Sequence, residues 1–503
     1  MFSYISWGFS RRSFSSWVVL SVALISPSTW AASVSQEQIL ERLLALEARQ
    51  KALEADLQQR DQRIVELERQ LSSNVADPPL QTIAVVPATG VTNTAPVAVP
   101  HEKQPIGRAR PNGAGFTIAD TEMGTINFGA WAYVRYLNQE GLDDSYTDDF
   151  GREFDIDIRN DMQFNKVNLT FNGWMYDPDF RYLLYTWTAN TSQGDSAQVV
   201  VAGNFKYRFN KAFDVGFGID ALPGTRSMSG TFPFFNKVDN RTMADEYFRP
   251  SYTTGIWSAG EINPELRYKV MLGNNLSQLG VNAAKLDGEM NTFSARLDWM
   301  PRTGEFGVGR GFDDFEVHTE LATAFGVSAT YSEEDRQSQP GTEDIQNSQI
   351  RLSDGTRLFN PGAFGTDGRV NRATYQMVAA DAGVKYQGWA ILGEYYARWV
   401  DDFKTEGDVP EDELWDHGFQ LQASYSFMPK YLAGYIAGSK IFGEYGDPWD
   451  TAVGVNWYPM RERLLRVNGE VLYLDSSAVG YSSIPYQVGG DGFVFNTNLE
   501  MKF

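Results

Sequence analysis

The 503-residue chain has no cysteine and three histidines. Without thiols it can form no disulfide framework, run no thiol chemistry and build no Cys-based zinc site. Transit through an oxidising compartment is then free of wrong pairings. His101, His318 and His417 are the only imidazoles, and none has a nearby serine in a recognisable nucleophile setting, so a Ser–His hydrolase has no motif to rest on. Basic residues are in deficit, 43 against 64 acidic ones, for a formal charge of -21. That balance argues against nucleic acid as a partner. Long apolar runs are also missing: no segment beyond the N-terminus reaches the roughly 20 residues that a spanning helix needs. No cofactor pattern is present, and none is expected.

Aromatic residues, by contrast, are plentiful at 14%, and glycine numbers 46. Many short segments are strongly apolar although the chain as a whole is slightly polar. A chain of this composition that enters a membrane must cross it with strands.

At the N-terminus, Arg11 and Arg12 precede the apolar run Trp17 to Ile25 (WVVLSVALI), followed by Pro27 and Thr29-Trp30-Ala31. This is the order of a secretory signal peptide, with cleavage expected after Ala31. Residues 35–71 read as an α-helical coiled coil. One seam carries Leu43, Gln50, Leu57, Ile64 and Leu71, the other Ile39, Leu46, Leu53, Arg60 and Leu67. Self-association is the expectation. Residues 72–115 hold Pro78, Pro79, Pro87, Pro96, Pro100, Pro105 and Pro111 among small residues. That composition buries no core and reads as a linker.

From Gly124 onward the period becomes two. Val167, Leu169 and Phe171 alternate with Lys166, Asn168 and Thr170. Phe205, Tyr207 and Phe209 alternate with Lys206 and Arg208. Phe213, Val215, Phe217 and Ile219 alternate with Asp214, Gly216, Gly218 and Asp220. An oily face opposite a polar one that carries full charges is the signature of a transmembrane antiparallel β-barrel whose lumen is wet. Strands are expected near 124–138, 162–176, 180–190, 198–209, 212–220, 251–259, 265–272 and 290–300. Others are expected near 313–332, 374–386, 389–400, 417–428, 431–441, 450–459, 463–475 and 491–503. Tight turns such as Gln387-Gly388 and Pro429-Lys430 alternate with long gaps such as 139–161, 221–250 and 333–373. The barrel therefore has about 16 strands over 120–503, with both ends on the short-turn, periplasmic side. The final strand alternates through Phe493, Phe495, Leu499, Met501 and Phe503, and its terminal aromatic resembles the signal read by the outer-membrane assembly machinery.

The segments GFGIDALPGTRSM (Gly216 to Met228), ILGEYYARWVDDF (Ile391 to Phe403), DHGFQLQASYSFMPK (Asp416 to Lys430) and VGVNWYP (Val453 to Pro459) resemble the phosphate-selective porin O and P family. The resemblance spans most of 120–503. It implies a homotrimer with one pore per subunit in the outer membrane of a Gram-negative cell, in contact with lipid and lipopolysaccharide, with the coiled coil in the periplasm. It also implies passage of small hydrophilic solutes or anions, phosphate among them.

Selectivity would depend on charges at the narrowest point of the lumen. The gap 221–250 is the candidate constriction, carrying Arg226, Lys237, Arg241 and Arg249 against Asp239, Asp245 and Glu246. Inward strand positions add Lys166, Lys206, Arg208, Arg267, Lys269, Arg296 and Arg398, with Asp214, Asp220, Asp298 and Glu394 opposing them. Arginine forks match oxyanions. The basic set is nevertheless partial, and the outer loops are acidic at Asp143, Asp144, Asp148, Asp149, Glu333, Glu334 and Asp335, so weak selectivity is the expectation. The cluster Asp401, Asp402, Glu406, Asp408, Glu411, Asp412 and Glu413 is too irregular for a metal site and reads as a solvated loop. The other function class is structural: a barrel that anchors the envelope through its coiled coil.

Overall fold

The computed structural model describes residues 106–107, 115–189, 198–229, 234–238, 241–276, 289–303, 311–336, 350–480 and 485–503. The expected signal peptide, coiled coil and nearly all of the linker lie outside the described residues.

Among the described residues, strand follows strand with no long helix between them. In order they are β1 (Phe116–Thr121), β2 (Gly124–Leu142), β3 (Ser145–Thr147), β4 (Glu153–Asp155), β5 (Asn160–Met175), β6 (Asp177–Ala189) and β7 (Gln198–Asn210). Then come β8 (Phe213–Ala221), β9 (Tyr252–Asn263), β10 (Leu266–Gly273), β11 (Thr292–Arg302), β12 (Ala322–Asp335) and β13 (Arg369–Tyr386). The chain finishes with β14 (Trp389–Glu406), β15 (Leu414–Met428), β16 (Leu432–Phe442), β17 (Trp449–Trp457), β18 (Leu465–Asp475) and β19 (Gly492–Lys502). β2 and β5–β19 form a closed 16-strand antiparallel barrel. Each strand pairs with its neighbour in sequence, and the ring closes where β19 meets β2, with Lys502 opposite Trp131 and Gly492 opposite Leu142. Closure leaves no unpaired ring edge, which is what a bilayer demands of strands.

The period-two sequence explains both faces. On β15, Phe419 and Leu421 are 42% and 55% exposed on the outside, while Gln420 and Gln422 are buried inside. On β11, Phe293 and Leu297 face out and Arg296 faces in, fully covered. The apolar outer surface would be an aggregation hazard in water and is the expected surface in hydrocarbon.

One rim carries tight connections. Gln387 and Gly388 turn with φ of 49° and 87°, the double positive-φ geometry that a two-residue hairpin requires. The opposite rim carries the long loops. The first contains the β3–β4 hairpin, and residues 350–368, 476–480 and 485–491 of others pack an apolar cluster over that end of the barrel, including Leu352, Leu358, Phe359, Ala478 and Tyr486.

Two features depart from the strand expectations. β12 starts at Ala322, not at residue 313. Residues 311–321 do not pair as a strand. Phe312, Asp313, Asp314 and Phe315 instead turn inward from the short-turn rim and are buried. Trp131, Trp187 and Trp257 point into the lumen, on inward positions of β2, β6 and β9.

The second departure is β1. It pairs with the first residues of β2, Phe116 opposite Phe128 and Thr121 opposite Gly124. β19 pairs with the rest of β2 and stops where Phe503 exchanges backbone hydrogen bonds with Ala130 (2.7 and 2.9 Å). β1 thus continues the line of β19 along the same flank of β2, with the Phe116 and Phe503 rings 5.7 Å apart. Gly115 makes this junction possible: its φ is 85°, and a Cβ there would stand 2.0 Å from the carbonyl oxygen of Phe128.

Candidate lumen constriction

The described residues of the third long loop, 222–229, 234–238 and 241–251, lie inside the barrel. The loop leaves β8, makes a 3-10 turn at Arg226–Met228, and includes the short helix α1 (Met243–Phe248). Its sequence dictates the position. Leu222, Met243, Ala244 and Phe248 are fully buried, and the loop's backbone polar groups need partners wherever it goes. It finds them on the far wall. The amide of Met243 donates to Asp450 (3.2 Å), that of Ala244 to Ser439 (2.9 Å), and Thr242 donates to Gln420 (3.0 Å). Arg135 donates to the Val238 carbonyl (3.0 Å), and Arg466 to that of Phe235 (2.8 Å). The loop crosses the lumen and seals against β15–β19 and β2.

The expected basic residues of this loop are present in the lumen, each beside carboxylates. Arg226 Nη1 lies 3.4 Å from Asp298 and 3.8 Å from Asp381. Lys237 Nζ is 3.9 Å from both Asp450 and Glu470. Arg241 stands 3.8 Å from Asp245 and 3.7 Å from Glu246, and Arg249 bridges to Glu246 at 2.5 Å. Asp239 lies outside the described residues.

The strand residues divide into two groups. Under the loop, Arg296 is clamped between Asp298 (2.7 Å) and Asp381 (2.5 Å), and Arg398 reaches Asp416 (2.5 Å) and the Tyr247 hydroxyl (2.6 Å). Lys166 is buried with its ammonium 4.3 Å from the Trp187 ring. These groups are shut away from a solute. On β7–β10 the inward charges stay wet. Lys206 meets Asp214 at 3.0 Å with its side chain 34% exposed, and Lys269 meets Asp220 at 2.8 Å with 23% exposed. Arg267 pairs with Glu261, both about one-third exposed. Arg208 lies across β7–β8 from Asp214 and near Arg181. Neither arginine makes an ion pair among the described residues. The open lumen therefore runs along β6–β10, and its wall mixes both signs with a cationic concentration at Arg181, Lys206 and Arg208.

The list of single residues missed the other half of the network. Arg135, Arg463, Arg466 and Lys502 face inward, as do Asp381, Asp416, Asp450, Glu470 and Glu500. Arg466 donates to Glu500 at 2.6 Å, and Trp131 donates to the same carboxylate at 2.7 Å. Strand alternation would have found all of these but Arg463, because each of the others sits two residues from an inward neighbour, whereas Arg463 lies in the turn before β18. Their pairings depend on register and closure.

At the long-loop rim, Arg351 and Arg357 face each other across a bridge. Burial and the second guanidinium push Arg351 down to about 10. Burial also raises Asp354 above the usual carboxylate range, with Asp148 adding to the effect. No grouping of three or more acidic or histidine side chains fit to hold a metal occurs among the described residues. His318 lies in the inward segment 311–321, not on a strand, with Nδ1 2.5 Å from Asp314.

No protein-family description matches the chain, and no curated protein does. Among solved structures it is similar to the outer membrane channel DcaP of Acinetobacter baumannii, at 11% identity and a TM-score of 0.47, covering 78% of this chain and 100% of that one. It is also similar to an anion-selective porin from Comamonas acidovorans (8% identity, TM-score 0.47, 76% and 100% covered). A third is OprB of Pseudomonas putida (11% identity, TM-score 0.44, 76% and 94% covered). The functional reading rests on this chain's own strands and loops.

Proposed function

We propose that the chain is an outer-membrane porin that passes small hydrophilic solutes by passive diffusion through an eccentric pore. The observation that carries this reading is the third loop, laid across a closed barrel so that one charged wall, β6–β10, stays in contact with water. A structural plug would bury that wall as it buries the opposite one. A channel leaves it open and uses its charges to replace part of a solute's hydration.

Charge preference is weak in this reading. Arg226, Lys237, Arg241 and Arg249 stand next to carboxylates and contribute little net field. The one specific observation that favours anions, phosphate included, is the cationic concentration of Arg181, Lys206 and Arg208 on the open wall. The Arg fork suits oxyanions there.

A homotrimer, contact with lipopolysaccharide, and engagement of the assembly machinery through Phe503 belong to the same proposal. The envelope-tether alternative rests on residues 35–71, outside the described residues. Deleting 36–71 separates the two: loosened envelope with intact uptake supports the tether, weakened trimers alone reject it.

The deciding experiment is the reversal potential of refolded protein in a planar bilayer under a potassium chloride gradient, repeated with phosphate. Ohmic conductance with a potential near zero is expected. A sealed bilayer from correctly folded protein overturns the channel reading. An anion-selective potential with phosphate blocking chloride current moves the reading to an oxyanion channel.

A further inference from the structure

The segment from Gly311 to His318 rises from the short-turn rim into the barrel and meets the third loop from below. The Phe312 amide donates to the Phe234 carbonyl (3.2 Å), and the Phe312 and Phe235 rings are 5.5 Å apart. Each side of the segment is fastened to the wall. Asp313 pairs with Arg463 at 2.5 Å, and the same guanidinium lies over the Phe315 ring at 4.4 Å and the Phe234 ring at 5.2 Å. The Asp314 carboxylate accepts from the Gly388 amide (2.8 Å) and the His318 amide, and the Asp314 carbonyl accepts from Ser426 (3.0 Å). Lys385 donates to the Gly311 carbonyl (2.8 Å), and Phe315 packs edge-on against Tyr458.

We propose that Gly311–His318 is a second constriction, set below the third loop on the same side of the lumen, and that it determines the size limit of the pore at its periplasmic exit. The proposal rests on the porin reading above. The segment seats on β13–β18, the third loop on β11–β19 and β2, and both leave β6–β10 clear. A recess lined by Arg226, Phe312, Lys385 and Leu392 marks where they join. A solute that passes the third loop is thereby held against Arg181, Lys206, Arg208 and Asp214 on the way out, instead of entering a full-width vestibule.

The segment is a fixed part of the wall, not a moving lid. Asp313 and Asp314 are 5% and 1% exposed. Withdrawing the segment would strip two buried carboxylates of their partners, an unfavourable step for any gate. Phe312 and Phe315, 7% and 5% exposed, are wedged between the segment, Phe235 of the third loop and Tyr458 of the wall, so their bulk props the segment out into the lumen.

The test measures single-channel conductance and the exclusion of neutral sugars of graded size, for the wild-type barrel and for the double variant Phe312→Ala/Phe315→Ala. The expected result is a conductance higher by about one and a half-fold and entry of larger sugars. Unchanged conductance and cut-off in a folded variant overturns the proposal. The native chain has no cysteine, so Phe235→Cys/Phe312→Cys gives a clean second test. If the segment is seated in the conducting state, oxidised and reduced forms conduct alike. A change of conductance on oxidation means that the segment moves, and the fixed constriction is wrong. A wild-type barrel that carries no current removes the channel reading itself, and this proposal with it. A conducting wild type with an indifferent variant removes only the second constriction.

Discussion

Arg398 donates to the Asp416 carboxylate at 2.5 Å while its guanidinium lies 4.3 Å from the ring of Tyr247. One side chain thus joins β14, β15 and the helix of the third loop, and it also donates to the Arg351 carbonyl of a long outer loop (2.7 Å). Arg398→Ala leaves the Asp416 charge buried and unpaired, at a cost of about 3–5 kcal/mol. Thermal unfolding of the refolded barrel is expected to show that loss. Arg398→Met combined with Asp416→Leu is expected to restore most of it, because removing both charges together strands neither.

The ion pairs on the open wall set the sign of the pore's field. Removing Asp214 and Asp220 as charges, by Asp214→Asn/Asp220→Asn, leaves Lys206 and Lys269 uncompensated. Removing Arg181 and Arg208, by Arg181→Gln/Arg208→Gln, does the opposite. The anion-to-cation permeability ratio is expected to rise in the first and fall in the second, by a factor of about two each. Reversal potentials in a salt gradient measure both. Equal potentials in all three proteins would mean that solutes do not pass along β6–β10.

The outer face gives a separate check on the membrane assignment. Leu421, at the centre of β15, is 55% exposed. In lipid vesicles Leu421→Arg is expected to cost about 2–4 kcal/mol, since a charge at mid-depth faces hydrocarbon. Gln422→Ala, one residue along and facing the lumen, leaves no charge in lipid. Denaturant unfolding from vesicles distinguishes the two positions.

Asp491 supplies a pH dependence at the long-loop rim. Burial first, then Asp475 and Asp143, raise its carboxyl above the usual range. The folded loop therefore holds a proton more tightly than the unfolded chain. Stability of the 476–491 loop is highest below the ordinary carboxylate range and declines as pH rises through the raised value. Asp491→Asn is expected to slow hydrogen exchange in that loop at neutral pH and to have no effect below about pH 4. An equal effect at both pH values would sink the electrostatic account.

The barrel was readable in the sequence because every strand repeats the same instruction. Phe205, Tyr207 and Phe209 against Lys206 and Arg208 admit one pleated surface and one partition between lipid and water. The stretch at 313–321 defeated that logic. Phe312 and Phe315 supply apolar residues beside charges, as a strand would, yet their burial comes from the lumen and not from lipid. Periodicity records which residues avoid water and is silent on where they go. The constriction was legible in the same partial way. Alternation placed Arg296 and Arg398 on the inner face. Their partners are matched by register, Asp416 from the next strand and Asp381 from two strands away over Gly326 of β12, and Asp450 meets Lys237 only because the third loop crosses the lumen. Such pairings emerge only when the ring closes.

The short strand β1 has a consequence for how barrels behave toward one another. The first residues of β2 project past the end of β19, and without Phe116–Thr121 alongside them their amides and carbonyls would be a bare strand edge. Such edges recruit the next available strand, usually from another molecule. The chain covers this one with its own preceding residues. A protein begun at Gly124 would keep its full ring of sixteen strands and still be adhesive, able to pair with its own copies rim to rim.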